Sequence, residues 1–241
     1  MKVALCISGQ ARSVEENFEN IKKCLIDPNS PDVFVHTWYD EKDVGKRFSG
    51  KEKVEKDFIN RAVLKKDTKD LITSLYKPKS IMIENQIQFV EDDVLDMKPS
   101  DPKNPYRNRW YIRPQFCLSM FYSIMRCNEL KTAYEKENNF MYDAVIRARF
   151  DLELDRKYDM KEYDLSAIYA NSHTHNQYSR QDVFGFSSSA NMDMYSDVFR
   201  HVDTMVADHK VEFCPEILLG YRLNLTGKQI RNVGGGYKIV R

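Results

Sequence analysis

Residues 1–38 read MKVALCISGQARSVEENFENIKKCLIDPNSPDVFVHTW, and this stretch decides the fold. Val3–Ile7 is a short apolar run closed by Ser8-Gly9-Gln10, the pattern of a buried strand entering a turn. Ser13 with Glu16 three residues on has capping-box spacing, so a helix is expected to start at Ser13. Phe18, Ile21, Cys24 and Leu25 then recur at helical spacing, and Asp27-Pro28-Asn29-Ser30-Pro31 stops the helix. Asp32–Trp38 is a second strand. Strand, helix, strand with a helical crossover makes the two strands parallel neighbours.

Working outward, residues 41–70 are more than half charged, with Val54, Phe58, Ile59 and Ala62 at helical spacing, so a solvated amphipathic helix is expected there. Ser80–Glu84 reads as a third strand. Pro114 can open the next helix, with Cys117, Met120, Ile124, Cys127 and Tyr134 as its buried face. Residues 142–151 (YDAVIRARFD) read as one continuous fourth strand, and residues 167–170 and 183–187 as two more. One helix is expected over residues 190–207, another from Pro215, and short strands in the tail. The pattern predicts a single α/β domain of Rossmann type over 1–241, with a mostly parallel central sheet flanked by helices.

The composition agrees. Of 241 residues, 42% are hydrophobic and 12% aromatic, too many for a disordered chain. Lys plus Arg is 37 against 36 for Asp plus Glu. A dedicated nucleic-acid binder carries a large basic excess, so no nucleic-acid partner is expected. Cys6, Cys24, Cys117, Cys127 and Cys214 are odd in number and form no C-x-x-C pair, which reads as buried free thiols in a reducing compartment. The N-terminal apolar run is too short for a signal peptide, and no run approaches the ~20 residues of a membrane span. A cytoplasmic location is the expectation.

Ligands of open α/β sheets bind beyond the carboxyl ends of the strands. After the first strand stand Ser8, Gly9, Gln10 and Arg12: a glycine for close backbone approach and an arginine for phosphate. After the second stand His36 and Trp38, the latter able to stack a base or sugar. On a continuing fourth strand, Arg147, Arg149, Asp151 and Glu153 share one face. Asp151 and Glu153 then form a hard oxygen pair for one divalent cation, with Arg147 and Arg149 for phosphate oxygens. Asp182 and Glu216 are two further acids suited to general-base work. The His173-Thr174-His175 pair has no third ligand at zinc spacing and reads as a polar loop. Residues 106–113 (YRNRWYIR) interleave arginine with aromatics. Arg12, Arg107, Arg109, Arg113, Arg147 and Arg149 are expected to gather about one anionic ligand.

ALCISGQARS, DVFVHTW, RPQFCLSMFYS, YDAVIRARFDLEL, DVFGFSSSANMDMYSDVF and CPEILLG together resemble the small nucleotide-sugar glycosyltransferases of GT-A fold. The closest group is the WavE-like one of bacterial surface-polysaccharide clusters, large DNA viruses and phages. The resemblance implies a nucleotide-binding half over 1–100 and a metal and acceptor half over 101–241. It implies a nucleotide-diphosphate-sugar donor and Mn²⁺ or Mg²⁺ on the diphosphate. Asp151-Leu152-Glu153 matches the family's Asp-x-Asp in position, with Glu as the second acid. Ser8, Gly9, Gln10 and Arg12 match its nucleotide loop. Glu216 matches its later acidic residue by order along the chain, and Asp182 competes for that role. The family's C-terminal metal-binding His has no counterpart after Glu216. The acceptor implied is a glycan or lipid-linked hydroxyl, with at most peripheral membrane contact, in the host cytoplasm if the source is viral. Two other classes compete: a non-catalytic carbohydrate- or nucleic-acid-binding module, and a metal-dependent nucleotidyltransferase.

Overall fold

The structure is a computed structural model that describes residues 1–45, 63–90, 103 and 114–240. Its centre is a seven-stranded sheet built from β1 (Val3–Gln10), β2 (Asp32–Trp38), β3 (Ser80–Glu84), β4 (Ala144–Ala148), β6 (Ile168–Ser172), β7 (Arg180–Ser187) and β8 (Ile230–Arg231). The order is β3-β2-β1-β4-β7-β6-β8. β3, β2, β1 and β4 pair in parallel, β7 is antiparallel to both neighbours, and β8 is parallel to β6. The fold is therefore α/β with a mostly parallel sheet.

The first crossover differs in detail from its expectation. Ser13 does not cap a helix: it sits at φ 54°, and its hydroxyl is 3.5 Å from the Val240 carbonyl. Helix α1 (Phe18–Ile21) starts later, widens into a π-turn at Lys22–Ile26 and closes as α2 (Asp27–Asn29). Asn17 spends its amide on the Phe150 and Leu152 carbonyls, tying this crossover to the segment after β4. A long-range contact has displaced a local cap.

Of the expected 41–70 helix, residues 46–62 lie outside the described residues. At its ends Glu41–Asp43 is a 3₁₀ turn, and Thr68–Tyr76 is a separate helix, α3. The Pro114 helix is as read: α4 runs Pro114–Glu137.

The continuous strand over 142–151 is not formed. β4 ends at Ala148, the chain turns at Phe150–Asp151, and β5 (Leu152–Leu154) joins a second sheet by pairing antiparallel with β9 (Tyr237–Ile239). The helix expected over 190–207 is two, α5 (Ser189–Ser196) and α6 (Val198–Ala207). Asp197 at the break accepts two hydrogen bonds from Arg222 of α7 (Pro215–Asn224), at 2.8 and 2.7 Å.

Period-two alternation sorts the strands into two cores. Leu5, Ile7, Val33, Val35, Ile146 and Ala148 face α1 and α3. Ala4, Cys6, Phe34 and Val145 face α4 through α7, against Cys117, Phe121, Cys127, Tyr195 and Leu218. No helix among the described residues is long and apolar enough to cross a membrane.

Candidate functional site

The chain runs outward from β1 to β2 and β3, then crosses back to β4 on the other side of β1. The crevice between the carboxyl ends of β1 and β4 is thus a topological switch point, where open α/β sheets bind ligands. Because β7 is reversed, its amino end opens on the same edge, as does the carboxyl end of β6.

On the β1 side the backbone turns at Gly9, whose φ of +119° suits glycine alone. Its carbonyl accepts from Thr37 Oγ1 at 2.8 Å. Ser8 is buried, and its hydroxyl has no partner among the described residues. Gln10 and Arg12 share a side-chain hydrogen bond and line a cleft with Trp38, Asp40, Gln86 and Phe116. Trp38 stacks on Tyr122, with centroids 5.5 Å apart and rings at 25°.

His36 stands behind this wall rather than in it. It is fully buried, with Nε2 2.7 Å from Glu84 and Nδ1 2.8 Å from Ser123. Burial lowers its pKa, against the pull of Glu84. The neutral ring donates from Nε2 to the carboxylate and accepts the Ser123 hydroxyl at Nδ1.

On the β4 side, Arg149 donates from Nε and Nη2 to the two oxygens of Asp151, each at 2.7 Å. Asp151 is buried. Arg147 is also buried and donates Nη1 to the Val183 carbonyl, while its Nε has no partner among the described residues. Burial lowers the Arg147 pKa, while Tyr195 and Asp182 oppose the shift. Asp182, on β7, is buried as well. Its pKa is raised by burial and by the charge of Glu216, while Arg147 and Arg149 pull it down.

Glu153 does not stay with this group. It lies on β5 in the second sheet, paired with Lys238 at 3.0 Å. The shared face of Arg147, Arg149, Asp151 and Glu153 rested on a continuing strand, and the change of sheet removes it. As folded, both Asp151 oxygens serve Arg149 and Glu153 serves Lys238. The pair does not fit one divalent ion in this arrangement.

Glu216 lies in the first turn of α7, behind Pro215. Cys214 donates its thiol to Glu216 Oε2 at 3.0 Å, and burial followed by that carboxylate pushes the thiol up to about 12. His175 Nε2 is 3.8 Å from the same oxygen. The His173 and His175 rings are 4.2 Å apart, and one donor atom from each of His173, His175 and Glu216 lies within 4.8 Å of the others. The His pair lies in a loop, as read, and the fold adds what local spacing does not show: a carboxylate from another element, Glu216, stands beside it. Gly220 explains the approach, since a Cβ there would lie 1.8 Å from the Tyr178 carbonyl oxygen. The loop therefore rests on bare helix backbone.

Neither a family model nor a curated protein matches this chain.

The structure thus links Asp151, Arg149, Asp182 and Glu216 by successive charge interactions, with Ser8, Gln10, Arg12 and Trp38 on the adjoining strand ends. His36 and Glu153 fall outside that set. Arg107, Arg109 and Arg113, with the rest of residues 106–113, lie outside the described residues. Phe116 and Asp40 on the cleft carry no signal in the sequence, because a single aromatic or acid has no periodicity. His-x-His followed by a Pro-Glu helix start was the available signal for the cluster.

Proposed function

We propose that the chain is a GT-A-type glycosyltransferase that moves a sugar from a nucleotide-diphosphate-sugar to a hydroxyl acceptor. One observation carries the reading. Acids and arginines from β4, β7 and α7 meet at the sheet edge beside a β1 loop whose glycine bares its backbone. The β3-β2-β1-β4 half supports a nucleotide across the switch point, and Trp38 and Phe116 supply apolar walls for a base or sugar.

The leaving group is a nucleoside diphosphate. Arginines held in place before reaction stabilise its developing charge at no cost of reorganisation. Asp151 fixes Arg149 through Nε and Nη2 and leaves Nη1 outside that pair. In an inverting displacement the acceptor oxygen bonds to the anomeric carbon, and the bond to the diphosphate oxygen breaks with its electron pair. The acceptor proton goes to Asp182, a buried carboxylate whose basicity burial and the charge of Glu216 raise. No step here passes through a metal ion.

Calorimetric titration of the full chain with UDP-, GDP- and dTDP-sugars, with and without Mn²⁺, tests the reading. One donor is expected to bind and to release its nucleoside diphosphate when an acceptor is present. Asp182→Asn is expected to keep donor binding and lower kcat by about 10²–10⁴-fold. Absence of binding to every donor, with Asp151→Ala indistinguishable from wild type, overturns it. Pyrophosphate release from a nucleoside triphosphate points instead to nucleotidyl transfer. Binding with a steep salt slope and no turnover points to a binding module.

A further inference from the structure

We propose that His173, His175 and Glu216 bind one divalent transition-metal ion of the zinc class, at a site separate from Asp151. The inference does not rest on glycosyl transfer, because it concerns these three side chains and is read without any substrate.

The donor set points to the ion. Two imidazoles and a carboxylate suit zinc, cobalt, nickel or iron, whereas magnesium and calcium take oxygen ligands. Three donors at ~2.0–2.1 Å from a tetrahedral ion stand roughly 3.3 Å apart. The three groups already lie within 4.8 Å, so small side-chain rotations bring them to an ion.

A second observation is independent of this spacing. His173 Nδ1 is buried and has no hydrogen-bond partner among the described residues. An unmet buried nitrogen costs free energy, and a metal bond satisfies an imidazole lone pair where no donor stands nearby.

The segment that carries the two histidines is also held in place. Ser179 Oγ donates toward the carbonyls of His173 and Asn176, at 2.8 and 2.7 Å, and His173 N donates to Ser179 O at 3.0 Å. Both histidines therefore sit in a loop closed on itself and seated against Gly220, one turn along α7 from Glu216. Three protein ligands leave a fourth position open, the arrangement of a reactive rather than a purely structural site.

The experiment uses the full chain, freed of any affinity tag and stripped with a chelator. It is titrated with Co²⁺ by visible absorption and with Zn²⁺ by calorimetry. One ion per chain is expected, with the intense visible bands of four-coordinate cobalt. His175→Ala and His173→Ala are expected to weaken Zn²⁺ by at least about 100-fold, beyond the ~10–100-fold that losing a supporting partner costs. Asp151→Asn is expected to keep the ion. Retention by both histidine variants with loss in Asp151→Asn overturns the proposal. X-ray absorption on the zinc-loaded wild-type chain needs no variant: two imidazole nitrogens at ~2.0–2.1 Å support the site, and a shell of oxygens alone overturns it. Failure of every nucleotide sugar to bind would leave this outcome untouched.

Discussion

At the scale of single residues, two buried ionisable groups show how differently a charge can be settled. His36 is kept neutral: burial lowers its pKa more than Glu84 raises it. As pH falls below the ordinary histidine value of ~6.5, the unfolded chain takes the proton first and the folded chain resists it. Stability from this residue is full above that pH and is lost as pH falls toward the folded pKa. Urea midpoints measured from pH 8 to pH 5 should drop, and His36→Gln should flatten the fall below pH 6.5; equal slopes would assign it to other groups. Lys131 is instead surrounded by partners. Its ammonium is fully buried, with Ser189 at 2.6 Å, Asp193 at 2.7 Å and Glu135 at 3.0 Å for its three protons. Lys131→Ala strands the buried Glu135 carboxylate and should cost about 3–5 kcal/mol in urea unfolding; a loss under about 1 kcal/mol would mean that the partners re-pair.

Elements meet here through backbone as much as through side chains. The loop between β6 and β7 can seat on α7 because residue 220 has no Cβ. Gly220→Ala should lift that loop while α7 keeps its own hydrogen bonds. The expected signature is faster amide exchange at His173 and Ser179, whose N–H groups close the loop, with the β1 and β4 amides unchanged. Unaltered exchange at all four places would show that the helix shifts rather than the loop. The break after Ala148 is also decided between elements. Phe150, Leu152 and Leu154 continue the apolar parity of Ala144, Ile146 and Ala148 and stay in the same core. Hydrophobic pattern is therefore blind to the change of sheet, which the pairing of Leu152–Leu154 with Tyr237–Ile239 imposes.

Across the whole molecule, the two cores on either face of the sheet leave the thiols little access to solvent. All five cysteines are free and buried. Burial raises the thiol pKa of Cys24, and that of Cys117 and Cys127 well above the ordinary range. Since the thiolate is the reacting form, the native chain should react slowly with a disulfide reagent. Five thiols per chain should react once guanidinium unfolds it, and reductant should not move the Tm. Prompt labelling of one or more thiols in the native chain would show that a core opens on the time scale of the assay.

The sequence by itself determined the parallel half of the sheet and the residues that stand at its carboxyl edge. A strand buried on both faces is a plain apolar run, and the stop within Asp27-Pro28-Asn29-Ser30-Pro31 and the Pro114 and Pro215 helix starts are local signals. The carboxyl ends of such strands name Ser8, Gly9, Gln10, Arg12 and Arg149 without further help. What only the tertiary structure decided depends on partners distant along the chain. Ser13 lost its cap to a site near Val240, Glu153 left for Lys238, and β7 reversed so that Asp182 reached the same edge as Asp151. The His-x-His pair found its carboxylate on α7 in the same way. Local spacing records the periodicity of one element at a time, whereas a site of this kind is a meeting of element ends. Burial and hydrogen-bond satisfaction over the whole fold arrange that meeting.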